Sequence, residues 1–243
     1  MPTNLADGYV VFGKCFSGVP IAKHPFVCYN DTNKNHRRKE TIMQFLITGF
    51  DPFGSSALNA SCEAVRAMPA MWGDHLITTA TLPVVYDKCA DVLYELLDEH
   101  QPDVVLCLGQ AVGREGISLE HAAVNVKASS SPDNAGVTFS GEKIAEDGPE
   151  SLPSNLPLKE LAYALKEVGI SSKISYSAGT YVCNDLFYHL MNYASEHAKR
   201  MLCGFIHIPP CEEQRHDYAE GTPIMPTAEA VRALKAIVAY LCA

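Results

Sequence analysis

Residues 104 to 109 read Val-Val-Leu-Cys-Leu-Gly, a strand-like run with no polar side chain to turn toward water on either face. A half-exposed strand alternates apolar and polar residues; a continuously apolar one is covered on both sides. The architecture that covers both faces of a strand is a largely parallel central sheet with helices on each side. From Gln44 onward the chain supplies what that architecture needs, because strand-like and helix-like signals alternate. QFLIT (44–48) reads as a buried strand, followed by a Gly/Pro loop and a helix from about Ser61 to Met68, stopped by Pro69. LITTATLPV is a second strand. Between about Tyr86 and His100, Cys89, Val92, Leu93, Leu96 and Leu97 recur on one helical face. ISLEHAAVNV looks extended, and a long polar stretch rich in Ser, Asp, Gly and Pro follows it. Further helices are expected over 158–168, ending at Gly169, from near Cys183, and over 227–241, the last with Thr227 as its cap. Strands are expected near Ile174 and at GFIHI. No internal repeat is visible.

The 243 residues suit one sizeable α/β domain. Residues 1 to 42 lack this periodicity and include the polar run Asn30 to Glu40. They are expected to be a poorly ordered or appended extension, with the domain proper over 43–243. A net charge of -9 at pH 7, with no long run of lysine or arginine, gives no electrostatic footprint for nucleic acid or an anionic membrane. The nine cysteines are odd in number, and Cys107 sits inside an apolar strand. That usage fits free thiols in a reducing compartment, so a cytoplasmic location is expected. The apolar stretch from Tyr9 to Ala22 is broken by Lys14 and has no basic flank before it, which argues against a signal peptide or a membrane span.

In open α/β sheets ligands bind beyond the carboxyl ends of strands. Four segments hold that position: GFDPFG, GQAVGRE, SAGTYVCN and the end of GFIHIPP. Cys183 follows a glycine-containing loop and opens a helix, where the positive end of the backbone dipole favours a thiolate. A histidine within reach and a carboxylate on its other ring nitrogen would complete an acyl-transfer set, and His207 and Glu120 are candidates. Each has an ordinary alternative: a packed thiol, a hydrogen-bonded core histidine, a glutamate on a solvated strand face. Cys203, His207, Cys211 and His216 are close enough in sequence to raise a zinc site, yet their spacings lack a tight Cys-x-x-Cys pair. GFDPFGSS lies where a phosphate loop would, but lacks its Lys-Ser/Thr ending.

Taken together, LITGFDPFG with Asn59 and Ser61, QPDVVLCLGQAVGR, Glu120 ahead of AVN, Pro132-Asp133-Asn134, SAGTYVCNDLFYHLM and GFIHIP resemble the pyroglutamyl peptidase I (pyrrolidone carboxyl peptidase) family. The resemblance runs from about Met43 to Pro209. It implies a single-domain α/β/α sandwich with a mixed, twisted sheet, and a catalytic set of Glu120, Cys183 and His207. It also implies no metal or organic cofactor, a homo-oligomer (dimer or tetramer) in the cytosol, and peptide substrates with N-terminal pyroglutamate. A pyroglutamyl group is a neutral lactam, so its pocket should offer flat apolar faces and amide-type hydrogen bonds. Phe50, Phe53 and Tyr181 are candidates for the faces. Gln110 and Asn59, or main-chain groups beside them, are candidates for the polar contacts. Departures from the family's usual pattern are Ala60 and Cys62 after Asn59, Tyr181 where phenylalanine is common, and Ser129 to Ser131 where relatives often carry an arginine.

Overall fold

The computed structural model describes residues 42–198 and 200–243. The expectation of a poorly ordered or appended extension over 1–42 therefore falls almost wholly outside the described residues. The first half contains β1 (Gln44–Phe50), α1 (Ala60–Arg66), β2 (Met71–Trp72), β3 (His75–Leu82), α2 (Lys88–His100) and β4 (Val104–Gln110). Then come five short strands, β5 (Ile117–Glu120), β6 (Ala122–Val124), β7 (Lys127–Ser129), β8 (Phe139–Glu142) and β9 (Ser151–Pro153). The chain closes with α3 (Leu158–Glu167), β10 (Ser172–Ser175), α4 (Val182–His197), β11 (Leu202–Ile208), a 3-10 turn (Glu212–Asp217) and α5 (Thr227–Leu241).

Seven strands form the main sheet in the order β10-β5-β11-β4-β1-β3-β2. β1 runs parallel to β3 and β4, β11 parallel to β4, and β10 parallel to β5. The β11–β5 and β2–β3 pairs are antiparallel, so the sheet is mixed. β4 is buried along its whole length, as its apolar sequence requires. Period-two alternation divides the core into two layers. Val104, Leu106 and Leu108 face the layer holding α1, α3 and α5, and Val105 and Cys107 face the layer holding α2 and α4. No helix among the described residues is long and apolar enough to cross a membrane.

Three details differ from the sequence reading. ISLEHAAVNV is not one strand: β5 pairs inside the main sheet, whereas β6 pairs with β9 in a separate two-stranded sheet. The polar stretch after it contains ladder structure, since β7 and β8 form a second small sheet. Thr227 is the first helical residue of α5, not its cap; Pro226 holds the cap position, and the Thr227 hydroxyl is buried with no hydrogen-bond partner among the described residues.

Candidate active site

Alternation along the strands decides which side chains meet. On β11, Cys203 and Phe205 face the α2/α4 layer and Ile206 and Ile208 the other, so His207 turns toward α4. On β5, Ile117 and Leu119 face the α1/α3/α5 layer, which turns Ser118 and Glu120 to the α4 side. The antiparallel register sets His207 opposite Ser118, with Glu120 two residues further on the same face. His207 Nδ1 lies 2.8 Å from Glu120 Oε1, with the histidine 3% and the glutamate 0% exposed. A carboxylate only accepts, so Nδ1 carries the hydrogen and Nε2 is left with its lone pair. Arg114 steadies the carboxylate from outside: one guanidinium nitrogen is 3.5 Å from Glu120 Oε1 and also donates to the Ser177 carbonyl at 2.9 Å.

Cys183 is the second residue of α4. The parallel register pairs His207 with Gly109 of β4. A Cβ built on Gly109 would meet Cys183 Sγ at 2.8 Å and the Phe205 ring at 2.9 Å. Glycine is thus what lets the sulfur settle against β4, at the residue paired with His207. The expectation of a depressed thiol pKa needs correction. Burial pushes the Cys183 thiol up to about 12, with the charge of Glu120 adding to the effect and Cys107 after it. Low dielectric opposes the charged form more strongly here than the helix N-terminus favours it.

The amides of Asn184 and Asp185 both donate to the Tyr181 carbonyl, at 2.9 and 3.1 Å. The two N–H groups before them, on Val182 and Cys183, are the ones a helix start leaves for other acceptors. Beside them stand three aromatic rings. Tyr181 lies 6.5 Å from Phe53 and 5.6 Å from Tyr86, the latter edge-on. The Tyr181 hydroxyl, which sets this residue apart from a phenylalanine, donates to the Pro132 carbonyl at 2.9 Å.

Other expected substrate contacts are engaged elsewhere. Phe50 is 2% exposed and packs toward Phe205, beneath the site rather than at its surface. Asn59 caps α1: its side chain accepts from the Ser61 amide and hydroxyl and donates to the Asp51 carbonyl at 2.8 Å. Gln110 accepts from the Ala60 amide at 2.7 Å and donates to the Tyr218 hydroxyl at 2.6 Å. These side chains shape the loop after β1.

The profile of the pyroglutamyl peptidase family matches residues 43–242. The chain belongs to that family. It is 43% identical over 170 residues to the pyrrolidone-carboxylate peptidase of Brevibacillus brevis, covering 70% of this chain and 79% of the relative. To the enzyme of the same name from Bacillus subtilis it is 40% identical over 191 residues, covering 78% and 88%. Among solved structures it is similar to pyroglutamyl peptidase I from Bacillus amyloliquefaciens, with a TM-score of 0.79, 39% identity and coverage of 83% of this chain and 95% of that one. A mutant pyrrolidone carboxyl peptidase from Pyrococcus furiosus gives 0.78, 34%, 81% and 97%. As a pyroglutamyl peptidase family member the chain is a cysteine-type peptidase on a mixed α/β sheet.

Several site residues were not singled out from the sequence. Arg114 and Gly109 lie in segments flagged by position only. Asp133 and Asn134 knit the site's edge: the Asp133 carboxylate accepts from the Tyr86, Ala135 and Val137 amides, and Asn134 donates to the Pro52 carbonyl at 2.9 Å. The cysteines and histidines of the zinc alternative do not converge. The Cys203 thiol packs on Met191 sulfur at 3.6 Å, Cys211 bonds Gln214, and His216 is exposed.

Proposed function

We propose that the chain hydrolyses the amide bond after an N-terminal pyroglutamyl (5-oxoprolyl) residue of peptides, with Cys183 as nucleophile, His207 as general base and acid, and Glu120 as the residue that orients His207. The observation that carries this is the buried 2.8 Å contact between His207 and Glu120 on the strand face where the Cys183 sulfur rests against Gly109.

The substrate carbonyl enters beside Sγ, and His207 Nε2 takes the thiol proton as the C–S bond forms. Because burial keeps the thiol neutral, proton loss and attack go together. The carbonyl electron pair moves to oxygen, and the N–H groups of Val182 and Cys183 donate to that oxyanion; a lost donor of this kind costs about 100-fold or more in rate. Collapse breaks the C–N bond, and the imidazolium returns its proton to the departing amine. Water then attacks the thioester while His207 takes its proton, and pyroglutamate leaves as the thiol is restored. Glu120 keeps the proton on Nδ1 throughout and stabilises the imidazolium.

Phe53 and Tyr181 offer flat apolar walls for the lactam ring, with Tyr86 behind Tyr181. Phe50, Asn59 and Gln110 support the pocket from beneath, and main-chain groups near Gln110 and Asn59 meet the lactam N–H and C=O. The departing peptide has a cavity of about 640 Å3 beside His207, bordered by Arg114, Tyr176 and Gly179. The reading includes a cytoplasmic enzyme that works as a homodimer or homotetramer. A panel of pyroglutamyl, prolyl and glutamyl reporter amides tests the specificity. Only the pyroglutamyl amide should turn over, being both cyclic and uncharged at nitrogen; equal rates on the prolyl amide would refute the lactam pocket.

A further inference from the structure

Asp185 stands two residues beyond Cys183 on α4, and His189 one helical turn after it. Asp87, which precedes α2, joins them, and one ligand atom from each lies within 4.8 Å of the other two. His189 Nε2 is 3.5 Å from Asp87 Oδ1 and 3.7 Å from Asp185 Oδ1. Both gaps are too long for hydrogen bonds. They match the edges of a coordination polyhedron, since two ligands on bonds of about 2.1 Å at about 110–120° are separated by roughly 3.4–3.6 Å. The Asp185 side chain is 0% exposed, and its Oδ1 and the His189 Nε2 are buried atoms with no hydrogen-bond partner among the described residues. Buried polar atoms left unpaired are rare and costly, and here two of them converge on one point.

We propose that Asp87, Asp185 and His189 form a binding site for a divalent transition-metal ion of the zinc, cobalt and manganese class, separate from the peptidase chemistry, that ties α4 to the start of α2.

The surroundings of the three residues suit that role. The Tyr94 hydroxyl lies 3.0 Å from His189 Nδ1. Accepting the Nδ1 hydrogen, it directs the Nε2 lone pair at the two carboxylates, the kind of outer partner that ligating histidines usually have. Asp87 is held at φ 58, a backbone conformation that a non-glycine residue seldom adopts, with its amide donating to Asp185 Oδ2 at 2.8 Å. An imidazole nitrogen with two carboxylates favours these ions over magnesium or calcium, which take oxygen ligands. Lys127 donates to both oxygens of the Asp87 carboxylate, so an incoming cation competes with its ammonium for that group. The Asp87 side chain is 56% exposed, which provides the way in.

Cobalt(II) chloride titrated into the full chain, stripped with chelator and carrying Cys183→Ala to remove the catalytic thiol, reads the site directly. The expected result is one ion per chain, visible d–d absorption without a sulfur-to-cobalt charge-transfer band, and a higher melting temperature. His189→Gln should weaken binding at least 100-fold, and Tyr94→Phe by about 10- to 100-fold. Lys127→Met should tighten it. No stoichiometric uptake, as when a protonated His189 merely bridges the two carboxylates, would overturn the proposal, as would a strong sulfur band. If His189→Gln does not fold, the Tyr94→Phe variant decides, and unchanged affinity there counts against the site.

Discussion

Cys183 sits where two opposing effects meet: the first turn of a helix, which favours a negative charge, and desolvation together with the charge of Glu120, which disfavour it. The second wins, so the thiolate fraction should grow tenfold per pH unit until the pH nears the thiol's value of about 12. Alkylation by iodoacetamide in the absence of substrate should accordingly climb from pH 7 to pH 10 without levelling, and a plateau below pH 7 would mean a preformed thiolate. Gly109 is the second sensitive residue. A methyl group there overlaps Sγ and the Phe205 ring, so Gly109→Ala should cost about 100-fold or more in kcat/KM, the scale of a misplacement of about 1 Å, with the fold retained by circular dichroism. Wild-type turnover in that variant would place the sulfur elsewhere. At this scale the sequence is legible only in part. Cys183 shows itself by its place at a helix start, and His207 by its place at a strand end. Glu120 does not, because its contact with His207 crosses from β5 to β11 between residues 87 positions apart. Asn59 and Gln110, or main-chain groups beside them, read from sequence as polar contacts for a ligand. Folded, each accepts from a neighbouring backbone amide, a contact that local sequence does not reveal.

Among the elements, α4 does two jobs through adjacent residues: Cys183 faces the sheet, and Asn184 clamps the β6 edge. The Asn184 side chain accepts from the Val124 amide and donates to the Val124 and Val126 carbonyls, at 2.9 to 3.0 Å, and is 0% exposed. Asn184→Ala should leave those backbone groups unpaired and lower stability by about 2–4 kcal/mol, measured by urea unfolding. A loss under 0.5 kcal/mol would mean that β6 is held by β9 alone. Long periodic elements were readable to within one or two residues, as in the helix expected over 158–168 and found at Leu158–Glu167. Short strands were not. β5 and β6 are separated by His121 alone yet join different sheets, a choice set by distant partners and invisible to local periodicity. Thr227 misleads for a related reason: its capping chemistry fits, but Pro226 already supplies the turn into α5.

For the molecule as a whole, the free cysteines make stability depend on alkali. Burial pushes Cys107 and Cys203 each up to about 12 and Cys89 well above its ordinary range, and all three side chains are inaccessible. The folded chain keeps these protons where the unfolded chain has released them. For Cys107 and Cys203 the stabilising effect is therefore full below the ordinary value of 9.0 and is lost as pH rises toward 12, by about 1.4 kcal/mol per pH unit for each of these two thiols, and Cys89 acts in the same direction. Urea midpoints should be level from pH 7 to 8.5 and fall steeply from pH 9 to 10.5; a flat profile to pH 10.5 would contradict the buried thiols. The sandwich itself was foreseeable from one apolar strand, because a strand apolar on both faces admits few neighbours. Which side chains its layers set side by side is a matter of register. The most direct test of that register is the initial rate of release from a pyroglutamyl reporter amide by wild type and by Cys183→Ser, at equal concentration and with matched melting curves. Wild-type turnover should be abolished by a thiol-alkylating reagent, and the serine variant should retain under about 1% of the rate. Alkylation-resistant turnover, or a near-normal rate in Cys183→Ser, would show that another residue does the chemistry.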